Sequence, residues 1–581
     1  MNIEDFNAIN SPSQDYRLYV GVGNEIKIAV DGQLVTPPPT TYPATLNQVP
    51  FRPTVVMGPH RIGFVGEAVR FYGGYSYQRW RVVASNHQWV ATGNPLVTIT
   101  VDASGQVYQR EPPEAACAAF TWTTPGIYEV SLTVYELNST TRFHTGTRQV
   151  IVYASRDQAY SGVTEVSGIT GSISGGGWSV AMKLKGNLAW LLAARDIKGY
   201  IPIVIMAELF HETNLGVFEP RTIGRAWSPN NYRDDPRIIF SGYLDSSSIE
   251  TSLDGSSTSI QARTSDMILE QMQTHTWGFF EHPRNGSGKI FNDLQIEDVL
   301  RHMLQEHSNF TDWNDTRFYY NIAQIGGDRT IPNMEYNDWT FQQGMYWSNI
   351  RDSADNEFKR AYVDATSALC IVPDRNMWPA SSYVDLRNRS VVPLPVGETA
   401  IGRLADRDTN GALVIQRMAI RERITAAVSY YKIIANLSFW NEEWGADYPK
   451  DKPGLFSGKW VLVQGKYFSD QSRDNAWANL WRFAARGYAA ANARYTLEVT
   501  LGIVAYLRLG DILEVLYEDP QGRANFVSSI PATNLFEIES LSYQINTEQQ
   551  TWLTVVSLRE LTIYAAPVAV IPPIPSLPEG I

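Results

Sequence analysis

The sequence predicts a mainly β, multidomain protein: a β-sandwich followed by two β-barrels with interposed α/β segments. Three observations carry this. Between Ile127 and Tyr135, Tyr128, Val130, Leu132 and Val134 share one face of an extended chain while Glu129, Ser131 and Thr133 take the other, the period of two that a half-buried strand requires. Strand-like runs recur at 178–184, 201–210, 237–244, 247–252 and 258–263, and an antiparallel barrel is the economical way to close so many edges. Near the C-terminus a helix within 474–494, clearest from Asp474 to Gly487, precedes strands at 496–502, 512–516 and 553–561, with Leu509-Gly510-Asp511 as a turn.

The elements follow in order. Residues 1–50 hold a hairpin, Tyr16 to Val20 and Glu25 to Val30 around Gly21-Val22-Gly23-Asn24, then a proline-rich linker whose missing N–H groups suit no ladder. Residues 51–155 form the sandwich. Residues 156–270 form the first barrel, entered through the Gly/Ser-rich stretch 162–177, which reads as a linker. Residues 271–400 carry helical and α/β elements with an aromatic insertion at 276–284. One helix starts near Ile296 with Asp293 as N-cap, and Asn337-Asp338 caps a second, in which Tyr346, Ile350, Ala354 and Phe358 recur every four residues. Strands 361–364 and 368–372 follow, joined by Ala365-Thr366-Ser367. Residues 401–562 form the second barrel, and 563–581 a polyproline-like tail.

A chain of 581 residues implies three to five domains. Its net charge of −12, without a Lys/Arg cluster, excludes a tight grip on nucleic acid. Seventeen Trp and thirty Tyr favour flat packing surfaces and subunit interfaces, hence an assembly component. Cys117 and Cys370 lie far apart and read as small buried hydrophobes. Met1 to Asn10 lacks an apolar core, so no signal peptide is expected, and no run reaches the roughly 18 apolar residues of a membrane-spanning helix.

Chemical motifs fail on specific residues. Asp406, Asp408, Asn410 and Gly411 repeat the first half of a calcium loop, yet Arg417 stands where a bidentate Glu belongs, and a polar turn is the preferred reading. Gly286-Ser287-Gly288-Lys289 lacks the hydroxyl that would follow the lysine of a phosphate loop. His302 and His307 lack His-Glu-x-x-His spacing, and no Gly-x-Ser-x-Gly elbow occurs. No catalytic residue and no cofactor is expected. The stripe Trp477, Leu480, Trp481 and Tyr488 could be a partner-binding helix face, with core of its own domain as the preferred alternative.

Thr124-Pro125-Gly126-Ile127-Tyr128-Glu129-Val130 through Val134, with Gln88-Trp89 upstream, resembles the closing strands and core Trp of a PKD or related immunoglobulin-like module, although Val90-Ala91-Thr92-Gly93 replaces that family's acidic glycine turn. The stretch from Gly162 to Leu561 resembles phage tail-hub proteins, including the late-control-D and VgrG-like hubs. The match rests on Phe240-Ser241-Gly242-Tyr243-Leu244 with Ser259 to Asp266, on Asn337-Asp338-Trp339 leading to Tyr362-Val363 and Ala368 to Pro373, and on Ala484-Ala485-Arg486 through Leu507 to Asp511 and Phe536 to Tyr543, ending at Thr551 to Leu558. The resemblance implies a structural protein of a virion tail tip or baseplate, or of a phage-like injection system. It would be a homotrimer joining the tail tube or distal tail proteins to a central spike or tip protein, with the tape-measure protein a further candidate partner, and it would leave a channel for DNA or cargo. The rival readings are a receptor- or glycan-binding adhesin using the PKD-like module and a cell-wall hydrolase.

Overall fold

The computed structural model describes residues 15–26, 57–73, 85–100, 117–135, 143–160, 163–186, 199–212, 237–271, 344–356, 358–377, 413–422, 428–437, 442–449, 459–468, 473–493, 495–504, 507–516, 535–562 and 571–574, with shorter pieces between them. The fold is mainly β and multidomain. The first strand is β1 (Asp15–Val22), and of its expected hairpin partner only Glu25 and Ile26 lie within the described residues. It pairs antiparallel along its whole length with a strand far along the chain, from Asp15↔Phe210 to Val22↔Ile203. Gly23 N then bonds Pro202 O at 2.8 Å, and Ile26 bridges Tyr200. The alternation read at Tyr16 to Val20 was sound, but its partner is remote.

Among the described residues the sandwich has seven strands: β2 (Arg61–Phe64), β3 (Val69–Tyr72), β4 (Ser85–Ala91), β5 (Leu96–Thr100), β6 (Cys117–Thr121), β7 (Gly126–Tyr135) and β8 (Phe143–Tyr153). One sheet runs β2-β8-β7-β4, with β2 parallel to β8, and the other β3-β6-β5. The two sheets are thus antiparallel throughout except for that one edge pair. Its core holds Val130, Leu132 and Val134, all at 0% exposure, on the inward face expected of β7. Among the described residues of the sandwich the deepest tryptophan is Trp122, not Trp89. Tyr128 stacks on Trp122 at 5.1 Å, and Trp89 packs half-buried against Phe71 and Phe120.

After the short helix α1 (Arg156–Tyr160) come β9 (Val163–Ser172), β10 (Trp178–Lys185), β11 (Pro202–Glu212), β12 (Phe218–Pro220), β13 (Ile238–Thr251), β14 (Ser257–Arg263) and α2 (Asp266–Gln271). The Gly/Ser-rich stretch read as a linker is therefore mostly a strand. Its glycines serve close approach: a Cβ at Gly171 would fall inside the Trp178 indole, and one at Gly177 inside the Asp266 carboxylate.

The helix expected from Asn337-Asp338 starts later, as α3 (Tyr346–Asn356), because Thr340–Phe341 and Gly344–Met345 are extended and paired. Ile350, Ala354 and Phe358 of the expected stripe are buried. The hairpin β15 (Lys359–Val363) and β16 (Leu369–Pro373) follows as expected, and its tip enters the main core. Ser241 N bonds Ala365 O at 2.7 Å, and Ser367 Oγ donates to Ser241 O at 2.7 Å. Ser367 holds a φ of +62°. Cys370 is buried, as expected of a small hydrophobe.

The C-terminal third holds β17 (Ala400–Ala405), β18 (Leu413–Val414), β19 (Arg417–Glu422), β20 (Val428–Leu437), β21 (Glu442–Tyr448), β22 (Lys459–Phe468), α4 (Arg473–Ala491), β23 (Tyr495–Leu501), β24 (Ile512–Leu516), β25 (Leu535–Asn546) and β26 (Thr551–Glu560). Among the described residues, the segments expected to make separate barrels meet in one 14-stranded sheet, ordered β1-β11-β13-β14-β10-β9-β25-β24-β17-β18, with β12 on β11 and β19-β23-β26 continuing from β25. The join is the ladder from Ser540↔Ser172 to Ile545↔Val166. One core spans both segments: Tyr16 Oη donates to Asn546 O at 3.1 Å and Thr551 O at 3.0 Å, and its ring meets Trp552 edge-on at 5.1 Å. Strands β20, β21 and β22 form a separate three-stranded sheet against α4.

Gly510 has a φ of +78°, as the Leu509-Gly510-Asp511 turn requires. Gly510→Val is expected to destabilise by about 1–3 kcal/mol, because a β-branched side chain is strained there and its Cβ would come 3.1 Å from Tyr362 Oη. An unchanged denaturation midpoint would contradict this.

Candidate functional site

Among the described residues no group of three or more His, Cys, Asp or Glu side chains is placed to hold a metal ion. Charged side chains instead gather at two junctions between units of the fold. The first fixes the sandwich to the main sheet. Glu208, on β11, is 5% exposed and accepts from Tyr19 Oη at 2.8 Å, Arg156 Nε at 3.1 Å and Arg237 Nη1 at 3.4 Å. Arg156 also forms a two-pronged pair with Glu67, from the turn between β2 and β3, and its guanidinium lies 4.5 Å from the Phe64 ring centre. Such forked pairing positions both partners, which a lysine would not do. Burial, reinforced by Glu208, pushes the Tyr19 phenol up. Beside this clamp, Ile62, Phe64 and Ile151 of the sandwich pack on Tyr19, Val204, Met206 and Ile238 of the sheet. Tyr153 Oη donates to Val20 O at 2.6 Å, and Gln149 brackets Asn24 with two bonds. The sandwich is docked through both apolar and polar contacts.

The second junction ties the β15–β16 hairpin to β25 and β26. Glu537, 2% exposed, faces Arg559 Nη2 at 2.7 Å, Arg360 Nη1 at 3.4 Å and Arg375 Nε at 3.4 Å. Asp374 takes Arg360 and Arg559, each at 3.0 Å, and Glu539 meets Arg559 at 3.2 Å. Asn376 links the same two units through Glu560 O and Thr562 N. Three carboxyl groups face three arginines. Removing one partner would leave an uncompensated buried charge, so the set ties the two units together.

Burial pushes the Glu537 carboxyl up to about 7, outweighing the pull of Arg360 and Arg375. Its folded value thus exceeds the unfolded 4.5. The folded state binds the proton more tightly between those two values, so this group's stabilisation is full below pH 4.5 and is lost as pH rises through about 7. The melting midpoint should therefore carry a downward component between about pH 5 and pH 7.5 that Glu537→Gln removes. A slope that survives the substitution would assign it to other groups.

Trp477, Leu480, Trp481 and Tyr488 lie on α4, and the chain itself covers them. Trp477, Leu480 and Trp481 are buried at 6%, 0% and 6%, and Tyr488 packs half-buried beside them. Phe358, held at φ +55° just past the end of α3, stacks on Phe483 at 4.7 Å. Asp406, Asp408 and Asn410, Gly286 to Lys289, His302 and His307, and the helix expected near Ile296 lie outside the described residues. The junction residues were missed in the sequence, although a signal was there. Glu208 interrupts the apolar run Ile205 to Phe210, and Glu537 sits between Phe536 and Ile538 on a buried strand.

No family model and no curated protein matches the chain. Solved structures do. It is similar to a tail protein from Neisseria meningitidis MC58, with 12% identity over 70% of this chain and 95% of that one and a TM-score of 0.41. It is also similar to the prophage MuSo2 43 kDa tail protein from Shewanella oneidensis, at 12% identity over 68% and 92% with a TM-score of 0.35. A chain in the virion of a native gene transfer agent particle aligns over 84% of this chain and 89% of its own, at 11% identity and a TM-score of 0.25. No helix among the described residues is long and apolar enough to cross a membrane.

Proposed function

We propose that this chain is a structural, non-enzymatic hub of a virion tail tip or baseplate, or of a phage-like injection system. It acts as a homotrimer that joins the tail tube and distal tail proteins to a central spike or tip. The observation that carries the reading is the β9–β25 ladder, which ties strands β9–β14 to strands β17–β19 and β23–β26 in one sheet over one core. The hub resemblance runs across these same residues. A part that transmits load between a tube and a spike gains from this build, because covalent connection alone would let two separate barrels swing. The clamp at Glu208 and Arg156 holds the sandwich to the same body, which suits it as a fixed outward module, and residues 51–155 and 563–581 remain as additions to the hub proper.

Mass measured in solution tests this. Three times the 65.3 kDa subunit mass is expected. A monomer at every concentration, with or without a tube protein, would count against the hub reading. For a channel that passes DNA, the net charge of −12 favours free transit. No salt-sensitive retention of duplex DNA is expected near physiological ionic strength.

A further inference from the structure

The C-terminal tail and the aromatic helix stripe, two separate features in the sequence, meet in the structure. Ile571-Pro572-Pro573-Ile574 lies against α4 with alternating exposure: Ile571 and Pro573 face solvent, while Pro572 and Ile574 are half-buried. Trp477 Nε1 donates to Pro572 O at 2.7 Å, and Ile574 packs against the cluster that holds Trp477 and Trp481. The surface is aromatic: Trp444 meets Trp477 edge-on at 5.2 Å, and Trp477 meets Trp481 at 5.8 Å.

A polyproline II strand has no internal hydrogen bonds, so its carbonyls are free to accept from outside, and proline pre-sets its shape at little entropic cost. Aromatic faces that offer an indole N–H read both properties. We propose that the Trp444–Trp477 face of α4 and β21 is a polyproline II recognition groove. The chain's own C-terminal segment holds it in cis as a strap, and a proline-rich segment with the same Pro-Pro-Ile-Pro pattern takes its place in trans when the strap is absent. A tethered strap competes at an effective concentration in the millimolar range, so the intact chain is self-occupied.

A labelled synthetic peptide of residues 566–581 tests the groove by fluorescence anisotropy on a chain ending at Thr562. Binding is expected, and it should weaken by about tenfold or more with Trp477→Phe, which removes the donor and keeps an aromatic ring. A peptide carrying Pro572→Ala, Pro573→Ala and Pro575→Ala should lose about as much, and the intact chain should bind the native peptide about tenfold more weakly than the shortened one. A shortened chain that melts cooperatively yet does not bind, or binds with no regard to Trp477 or the prolines, would overturn the proposal. If shortening prevents folding, the intact chain answers through hydrogen exchange at the Trp477 indole N–H. Ile574→Asp should speed that exchange about tenfold or more by detaching the strap, and an unchanged rate would overturn the proposal.

Discussion

Gly242→Val is expected to cost at least about 3 kcal/mol and to leave little soluble folded protein. Gly242 lies on β13, paired with Ile203 of β11, and a Cβ there would overlap the carbonyl oxygen of Arg263 and come 2.8 Å from its carbonyl carbon. The Phe240 ring stands 2.7 Å away on the same side. A flexible side chain could retreat, but Arg263 is backbone held on both sides, opposite Tyr243 and Ser179. The strands would have to part, at the point where the α/β hairpin tip enters through Ser241. Gly445→Ala is the control, since its Cβ would meet only ordinary contacts at 3.5 and 3.8 Å. Denaturant midpoints for the two variants check the claim, and equal midpoints would refute it.

The second large effect is expected from Trp178→Ala, at about 3–5 kcal/mol. Trp178 is 1% exposed and among the largest fully buried side chains. Its indole lies on Gly171 of β9, the strand that carries the ladder to β25. Emptying that site removes the support under the only strand joining the two parts of the main sheet among the described residues. Gly171→Ala should also destabilise, by about 1–3 kcal/mol from crowding. Combined with Trp178→Leu, which makes room, its cost should fall below the sum of the single costs, because the two residues share one space. Strict additivity in that double-mutant cycle would place the indole elsewhere.

The strand pattern was legible in the sequence where one face met the core and the other did not, as on β7, where Val130, Leu132 and Val134 turn inward. Hairpin β15–β16 and the turn at Gly510 were legible because their signals are local. The start of α3 was misplaced because Asn337-Asp338 resembles a cap, yet the pairings at Thr340–Phe341 and Gly344–Met345 claim the residues that follow. The two charged junctions were hidden because an inward Glu is told from an outward one only by its partners. Arg156 lies 52 residues from Glu208 in sequence, and Arg360 lies 177 from Glu537.

The sequence by itself determined the mainly β class, the composition that lacks a basic footprint, the amphipathic stripe of α4 and the proline-rich tail. Which strands pair was decided only in the tertiary structure. Backbone ladder bonds are the same for every residue except proline, so alternation reveals a buried face and says nothing about the neighbour. Hence β1 could join β11, and the glycines of 162–177 could look like a linker while permitting the closest contacts of the core. A glycine marks either freedom or close approach, and only the atoms around it show which.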